Sequence, residues 1–217
     1  MYHKVSKSAR RVFIRQLDYM RSLGDFVASS EAISLLQTGP PRGERFFCLT
    51  FDDGEKSAYD HAVPLLAERN IPSIFFVVPS WIDAEAATSD SLDRRHVNWN
   101  ECRLMADNGV TVGSHSFSHP RFSTLDRDEA EREVKASKLR LELQLGKACH
   151  DFACPWGQPW RDYVPDRDPQ LAAAAGYRSF FTTIRGAAIT GTSPWAIPRV
   201  RLEPEWELFQ LRYLFSR

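Results

Sequence analysis

The feature that most constrains this chain is the alternation of short apolar runs with segments of helical periodicity. Residues 46–51 and 73–78 are dense in aromatic and β-branched side chains and are bounded by turn residues, the pattern of strands buried on both faces. Residues 56–70, between them, have the length and apolar spacing of a helix. Strand, helix, strand is a βαβ unit, so a parallel sheet is expected. The pattern repeats as helix 99–108, strand 110–114, helix 126–145, strand 150–154, helix 170–175 and strand 178–183. Residues 197–202 add a sixth strand, and a helix carrying Trp206, Phe209 and Tyr213 closes the chain. Two helices come first. Residues 9–23 place Val12, Phe13, Leu17 and Met20 on one face and stop at Gly24; residues 30–37 run from Ser30, an N-cap, to the Gly39-Pro40-Pro41 turn. The 126–145 helix opens with a capping box, Asp126 and Glu129, and stops at Gly146, its charges forming a solvated face. Residues 84–95 read as an extended surface excursion. Such alternation leaves two architectures, an α/β barrel or a doubly wound sheet.

At 217 residues the chain fits a single domain, 1–217, large enough to bury a core without staples. Its 28 basic and 28 acidic residues cancel, which removes the attraction that non-specific nucleic-acid binding and anionic membrane surfaces depend on. No window approaches the ~18 apolar residues of a membrane span. Met1-Tyr2-His3-Lys4-Val5 is not followed by the apolar run of a leader, so as written the chain is expected to be soluble and unexported, that is cytoplasmic. Cys48, Cys102, Cys149 and Cys154 lack C-x-x-C spacing and read as reduced, mostly buried thiols.

Three segments after strand ends carry chemistry. Thr50-Phe51-Asp52-Asp53-Gly54 places two adjacent carboxylates where α/β folds gather reacting groups. In a dry crevice they repel unless one is protonated or a cation neutralises them; the other reading is a plain polar turn, for which Asp-Asp-Gly is well suited. Gly113-Ser114-His115-Ser116-Phe117-Ser118-His119-Pro120 follows another strand. His115 and His119 are four apart, which on one helical turn puts both imidazoles on one face. With the acidic pair they form the three-ligand set of a catalytic divalent metal site, against the alternative of satisfied surface or core histidines. Phe152-Ala153-Cys154-Pro155-Trp156-Gly157 makes a stiff turn whose N–H groups can face the crevice, with Trp156 as an apolar wall suited to a sugar ring or simply as a core residue.

Together the Thr-Phe-Asp-Asp-Gly, Ser-His-x-x-x-His and Phe-Ala-x-Pro-Trp-Gly segments resemble the first three motifs of the polysaccharide deacetylases, carbohydrate esterase family four. The resemblance covers approximately residues 46–183. It implies a distorted (β/α) barrel with fewer than eight complete units and parallel strands, and metal-dependent hydrolysis of acetyl groups on a glycan. Tyr2-His3 ahead of a helix resembles the exopolysaccharide-associated branch of poly-N-acetylglucosamine deacetylases, which implies an acetylated glycan as substrate and polysaccharide-biosynthesis proteins as partners. Members of the family are often associated with the cell envelope.

Carried over residue by residue, the family pattern makes Asp52 the general base and Asp53, His115 and His119 the ligands of one divalent metal, with zinc the default for two His and one Asp. Pro155 and Trp156 fall where the oxyanion and sugar are held. The chain departs from the commoner pattern twice. No histidine follows His150, so the acid that protonates the leaving amine comes from elsewhere, and the branch resemblance points to His3. Ala153 stands where many members carry an Arg that orients the base; Arg199 is the candidate replacement, a surface Arg the alternative. His61, His96 and His150 receive no role. Two other readings stay open, an amidase on a small or nucleotide-linked sugar and a non-catalytic glycan-binding relative.

Overall fold

The computed structural model describes residues 1–41, 43–88 and 94–215. In chain order its elements are α1 Arg10–Leu23, β1 Asp25–Phe26, α2 Ser29–Thr38, β2 Phe46–Phe47, β3 Leu49–Phe51, α3 Lys56–His61, α4 Val63–Glu68, β4 Ser73–Val77, α5 Pro79–Thr88 and α6 Trp99–Asp107. There follow β5 Thr111–Ser114, a 3-10 turn Phe122–Thr124, α7 Arg127–Leu145, β6 Asp151–Ala153, α8 Asp168–Ala174, β7 Ser179–Phe181 and α9 Leu208–Phe215.

Five strands form one sheet in the order β3-β4-β5-β6-β7, every neighbour parallel. Because spatial order follows chain order, each crossover advances one strand the same way and the sheet curls. The curl closes through residues outside regular strands. Ile197 bridges Phe181 in parallel, the Leu202 N–H donates to Met1 O at 2.9 Å, and Tyr2 bridges Phe51 in parallel. A distorted barrel of five strands results, with fewer than eight complete units, and the doubly wound alternative is excluded.

Strand alternation divides the apolar side chains between two faces. Phe51, Phe75, Val112, Phe152 and Phe180 pack outward against the helices. Phe51 and Phe75 stack with centroids 4.5 Å apart, and Phe152 and Phe180 at 5.3 Å. Each fully buried Phe contributes roughly 1.5–3 kcal/mol. Ile74, Phe76, Ala153, Phe181 and Ile197 face the other way, into the barrel, where Leu36 of α2 joins them. At the start of β6, Ser29 of α2 donates to Asp151 at 2.9 Å, so α2 covers the end of the barrel where the strands begin. The opposite end, where strands finish, is left for the site.

Several elements differ from the pattern read in the sequence. The run 46–51 divides at Cys48, because β2 pairs with β1 while β3 pairs with β4. The helix expected over 56–70 breaks at Ala62 into α3 and α4, since Pro64 lacks the N–H that would continue the first helix. Residues 197–202 are not a strand beyond the one bridge at Ile197: Pro198 has no N–H to give, and the Arg199 N–H is taken by Ile184 O at 3.0 Å. The first part of the 84–95 excursion is the end of α5, while residues 89–93 lie outside the described residues. The four cysteines are free, three of them buried. Among the described residues no helix is long and apolar enough to cross a membrane.

Candidate metal centre and its surroundings

The acidic pair leaves the end of β3 through a tight turn in which Asp53 (φ 69°) and Gly54 (φ 65°) both adopt left-handed backbone. Aspartate is among the few side chains that tolerate this region. Asp52 and Asp53 are thereby sent in different directions, and each finds a different set of partners.

The loop after β5 is not the helical turn expected from the four-residue spacing. Ser116 (φ 62°) and His119 (φ 63°) are left-handed, and it is this double reversal that brings His119 back beside His115, their ring centroids 4.8 Å apart. Asp53 Oδ1 lies 3.5 Å from His115 Nε2 and 3.5 Å from His119 Nε2. One ligand atom from each of the three residues lies within 4.8 Å of the others. Asp53 Oδ1 is buried without a hydrogen-bond partner, a costly state for a carboxylate oxygen unless a cation meets it. His115 Nδ1 donates to Ala153 O at 2.7 Å, which fixes the tautomer and leaves the Nε2 lone pair directed to the cluster. Burial pushes His115 down to about 4 against the opposing pull of Asp52, and burial together with His115 pushes His119 to about 4. Both imidazoles are therefore neutral at pH 7. Two nitrogen lone pairs and one carboxylate oxygen converging on one point fit a divalent ion.

Asp52 is buried beside this cluster, its Oδ2 3.8 Å from His115 Nε2. Its main partner is Arg199, whose two terminal nitrogens donate to Asp52 Oδ1 at 2.6 Å and Oδ2 at 2.8 Å. The guanidinium also donates through Nε to Thr182 O at 2.9 Å and lies over the rings of Phe76 and Phe181. Burial alone would raise the Asp52 pKa. The charge of Arg199, then that of His115 and the Arg199 hydrogen bonds, outweigh it and hold the carboxyl well below the usual carboxylate range. Arg199 is thus no surface residue.

His3 is brought to the same place by the strand-like start of the chain. The Tyr2 N–H donates to Thr50 O at 2.8 Å, the Asp52 N–H donates to Tyr2 O at 3.0 Å, and the Tyr2 hydroxyl is anchored on Gln16 at 2.6 Å. His3 is half-buried, and its charge bears on the titration of both Asp52 and His115. Its Nδ1 is buried with no hydrogen-bond partner.

Pro155 is buried after β6, and Trp156 (φ 61°) turns out of the fold to half exposure, its ring 5.4 Å from that of His119. Gly157 (φ 76°) makes this possible, since a Cβ there would lie 2.7 Å from the Thr183 nitrogen. Trp81, which the sequence reading passed over, flanks His119 at 5.0 Å and rests on His96 at 4.8 Å. Its place just beyond the end of β4 is the signal that could have found it. The Ala153 carbonyl is a backbone atom and carries no such signal.

A protein-family model described as polysaccharide deacetylase matches residues 39–180. The chitooligosaccharide deacetylase of Sinorhizobium fredii (strain NBRC 101917 / NGR234) is 29% identical over 164 residues, 75% of this chain but 63% of that protein, so the chain spans less than two thirds of its length. Among solved structures, IcaB from Ammonifex degensii aligns with a TM-score of 0.77 and 26% identity, covering 94% of this chain and 90% of that one. The Streptococcus pyogenes deacetylase PplD, solved in complex with acetate, aligns with a TM-score of 0.82 and 22% identity over 100% of this chain and 95% of that one. With its three motifs at the ends of β3, β5 and β6 of one barrel, the chain belongs to the polysaccharide deacetylase family.

Proposed function

We propose that the protein is a metal-dependent hydrolase that removes acetyl groups from N-acetylhexosamine units of a glycan, with Asp53, His115 and His119 holding one divalent ion, zinc by default. The observation that carries this reading is the convergence of those three ligand atoms, with a buried and unpartnered Asp53 oxygen, beside a second carboxylate committed elsewhere. When bound, such an ion lowers the pKa of a water molecule and polarises the acetyl carbonyl. Asp52 is the general base that takes the proton of the attacking water, and the Arg199 fork keeps it ionised and correctly turned. As the water oxygen adds to the acetyl carbon, the carbonyl oxygen gains negative charge, which the Trp156 backbone N–H helps to hold. His3 gives a proton to the leaving nitrogen as the amide C–N bond breaks. The products are acetate and a glucosamine-type amine.

Two exposed indoles, Trp156 (52%) and Trp160 (68%), follow the end of β6 and favour an open groove for a sugar polymer over a closed small-molecule pocket. A relative's name, chitooligosaccharide deacetylase, points to the same substrate class. The test is acetate release from β-1,4- and β-1,6-linked N-acetylglucosamine oligomers by the protein as isolated, after chelation, and after zinc is restored. Loss on chelation and recovery with zinc are expected. A protein shown to carry one equivalent of metal that releases no acetate from either series would overturn the reading.

A further inference from the structure

We infer that Glu133, on α7, is a positioning residue that sets the geometry of the His115–His119 loop and through it the affinity of the metal centre; the inference rests on the metal reading above. The loop needs such a restraint. Both Ser116 and His119 hold positive φ, a region that costs a non-glycine residue of order 1 kcal/mol and persists only where surroundings over-determine it. Within the loop the Ser116 hydroxyl accepts the His119 N–H at 2.9 Å.

The outer restraint comes from one carboxylate. Glu133 Oε2 accepts the N–H groups of Phe117 and Ser118, both at 2.9 Å, and its Oε1 accepts the Ser118 hydroxyl at 2.6 Å. These are two of the three residues between the two imidazoles, so three hydrogen bonds to one carboxylate fix the span that decides how far apart the ligand nitrogens stand. The Phe117 carbonyl is held from the other side by the Ser80 N–H at 3.0 Å, at the start of α5. Glu133 itself is carried by a rigid element: α7 is 19 residues long, capped by Asp126, and docked through Ala130, Val134, Ser137 and Leu141. Ser137 meets Ser114, the residue immediately before His115, at 2.6 Å. A single helix thus grips the loop at both its beginning and its middle.

Reach and charge can be separated at this position. Glu133→Gln keeps the reach: its amide oxygen can accept both N–H groups and its amide nitrogen can donate to the Ser118 hydroxyl. Glu133→Asp keeps the charge but is one methylene short. Metal affinity is read by competition of zinc against a chromophoric chelator, and ligand geometry by the visible spectrum of the cobalt-loaded protein, with thermal melts of the metal-free forms run alongside. Zinc affinity is expected to fall roughly 10–100-fold in Glu133→Asp, with an altered cobalt spectrum, and to stay within about 3-fold of wild type in Glu133→Gln. Glu131→Ala, which removes an exposed charge from the same helix, should leave affinity and spectrum unchanged. Wild-type affinity in the Asp variant, or equal weakening in Gln and Asp, would overturn the positioning role while leaving the metal centre standing. A wild-type protein that takes up no zinc would overturn the metal reading itself.

Discussion

Replacing Arg199 by methionine keeps much of the side-chain length and removes the charge, leaving the Asp52 carboxylate buried with nothing opposite it. Both partners are almost fully buried, and their contact is a two-pronged one at 2.6 and 2.8 Å. Breaking a buried pair on one side costs roughly 3–5 kcal/mol, because the remaining charge is neither solvated nor paired. For a chain of this size about 1 kcal/mol moves the melting temperature by about 2–4 °C, so Arg199→Met should melt roughly 6–20 °C below wild type. Asp52→Asn leaves the guanidinium half-satisfied, and the double variant removes both charges, so the two single losses should exceed the double loss by at least ~2 kcal/mol. Melts and urea titrations of the four metal-free proteins at pH 7 give the cycle directly; chelation prevents metal binding from adding its own stabilisation to some variants and not others. The sign of the pH dependence follows from the same pair. Wild-type Asp52 is held below its unfolded pKa of ~3.9, so its contribution is complete above that pH and lost as the pH falls through the lower folded value. In Arg199→Met the guanidinium charge and its hydrogen bonds no longer oppose burial, so the carboxyl rises and acid relieves the penalty. The stability gap between the two proteins should therefore narrow as the pH is lowered from 7. A variant melting within ~2 °C of wild type, or single losses that simply add, would refute the idea that Arg199 holds Asp52.

Other expectations are simpler to read. His119→Ala should lose the bound metal on gel filtration, whereas Asp52→Asn should keep one equivalent and lose about 10²–10⁴-fold in acetate release. His3→Ala should keep both metal and melting temperature but lose turnover, with the fall confined to kcat; normal kcat would remove it from the mechanism. Gly113→Ala would put a Cβ 2.6 Å from the Phe76 ring inside the barrel, and should cost roughly 1–3 kcal/mol by overpacking, seen as a lower melting temperature.

Much of the fold was legible because its strongest signals are local. The runs around Phe75 and Phe180 are continuous and apolar because those strands are covered on both faces, and α7 carries its capping box and its Gly146 stop in plain view. The places of the candidate site residues were legible for a related reason. Asp52, Asp53, His115 and Trp156 all lie within a few residues of a strand end, so chemistry and topology are encoded in the same short stretch. What the letters cannot state is backbone hand. The His-x-x-x-His spacing fits a helical turn as well as it fits a loop, and only the left-handed Ser116 and His119 decide that it is a loop.

The least legible part is the seam of the barrel, and the reason is physical. Residues 1–3 and 197–202 have weak or misleading strand patterns because each makes only a few ladder contacts, with Pro198 breaking the run. Yet the seam brings in both His3 and Arg199, the residues proposed as acid and as holder of the base. His3 arrives because Tyr2 is hydrogen-bonded to Thr50 and Asp52, on either side of Phe51, and Arg199 because Ile197 is bridged to Phe181. A residue followed by only one strand contact can be moved to another place in the chain without disturbing the rest of the sheet. On the proposed mechanism, a guanidinium that holds the base and an imidazole that donates a proton need only reach the crevice, not a particular point in the sequence. The three residues proposed to hold the metal have no such freedom, since their ligand atoms must meet within 4.8 Å from the loops after β3 and β5. Their motifs were therefore the readable ones, and the seam had to be found in space.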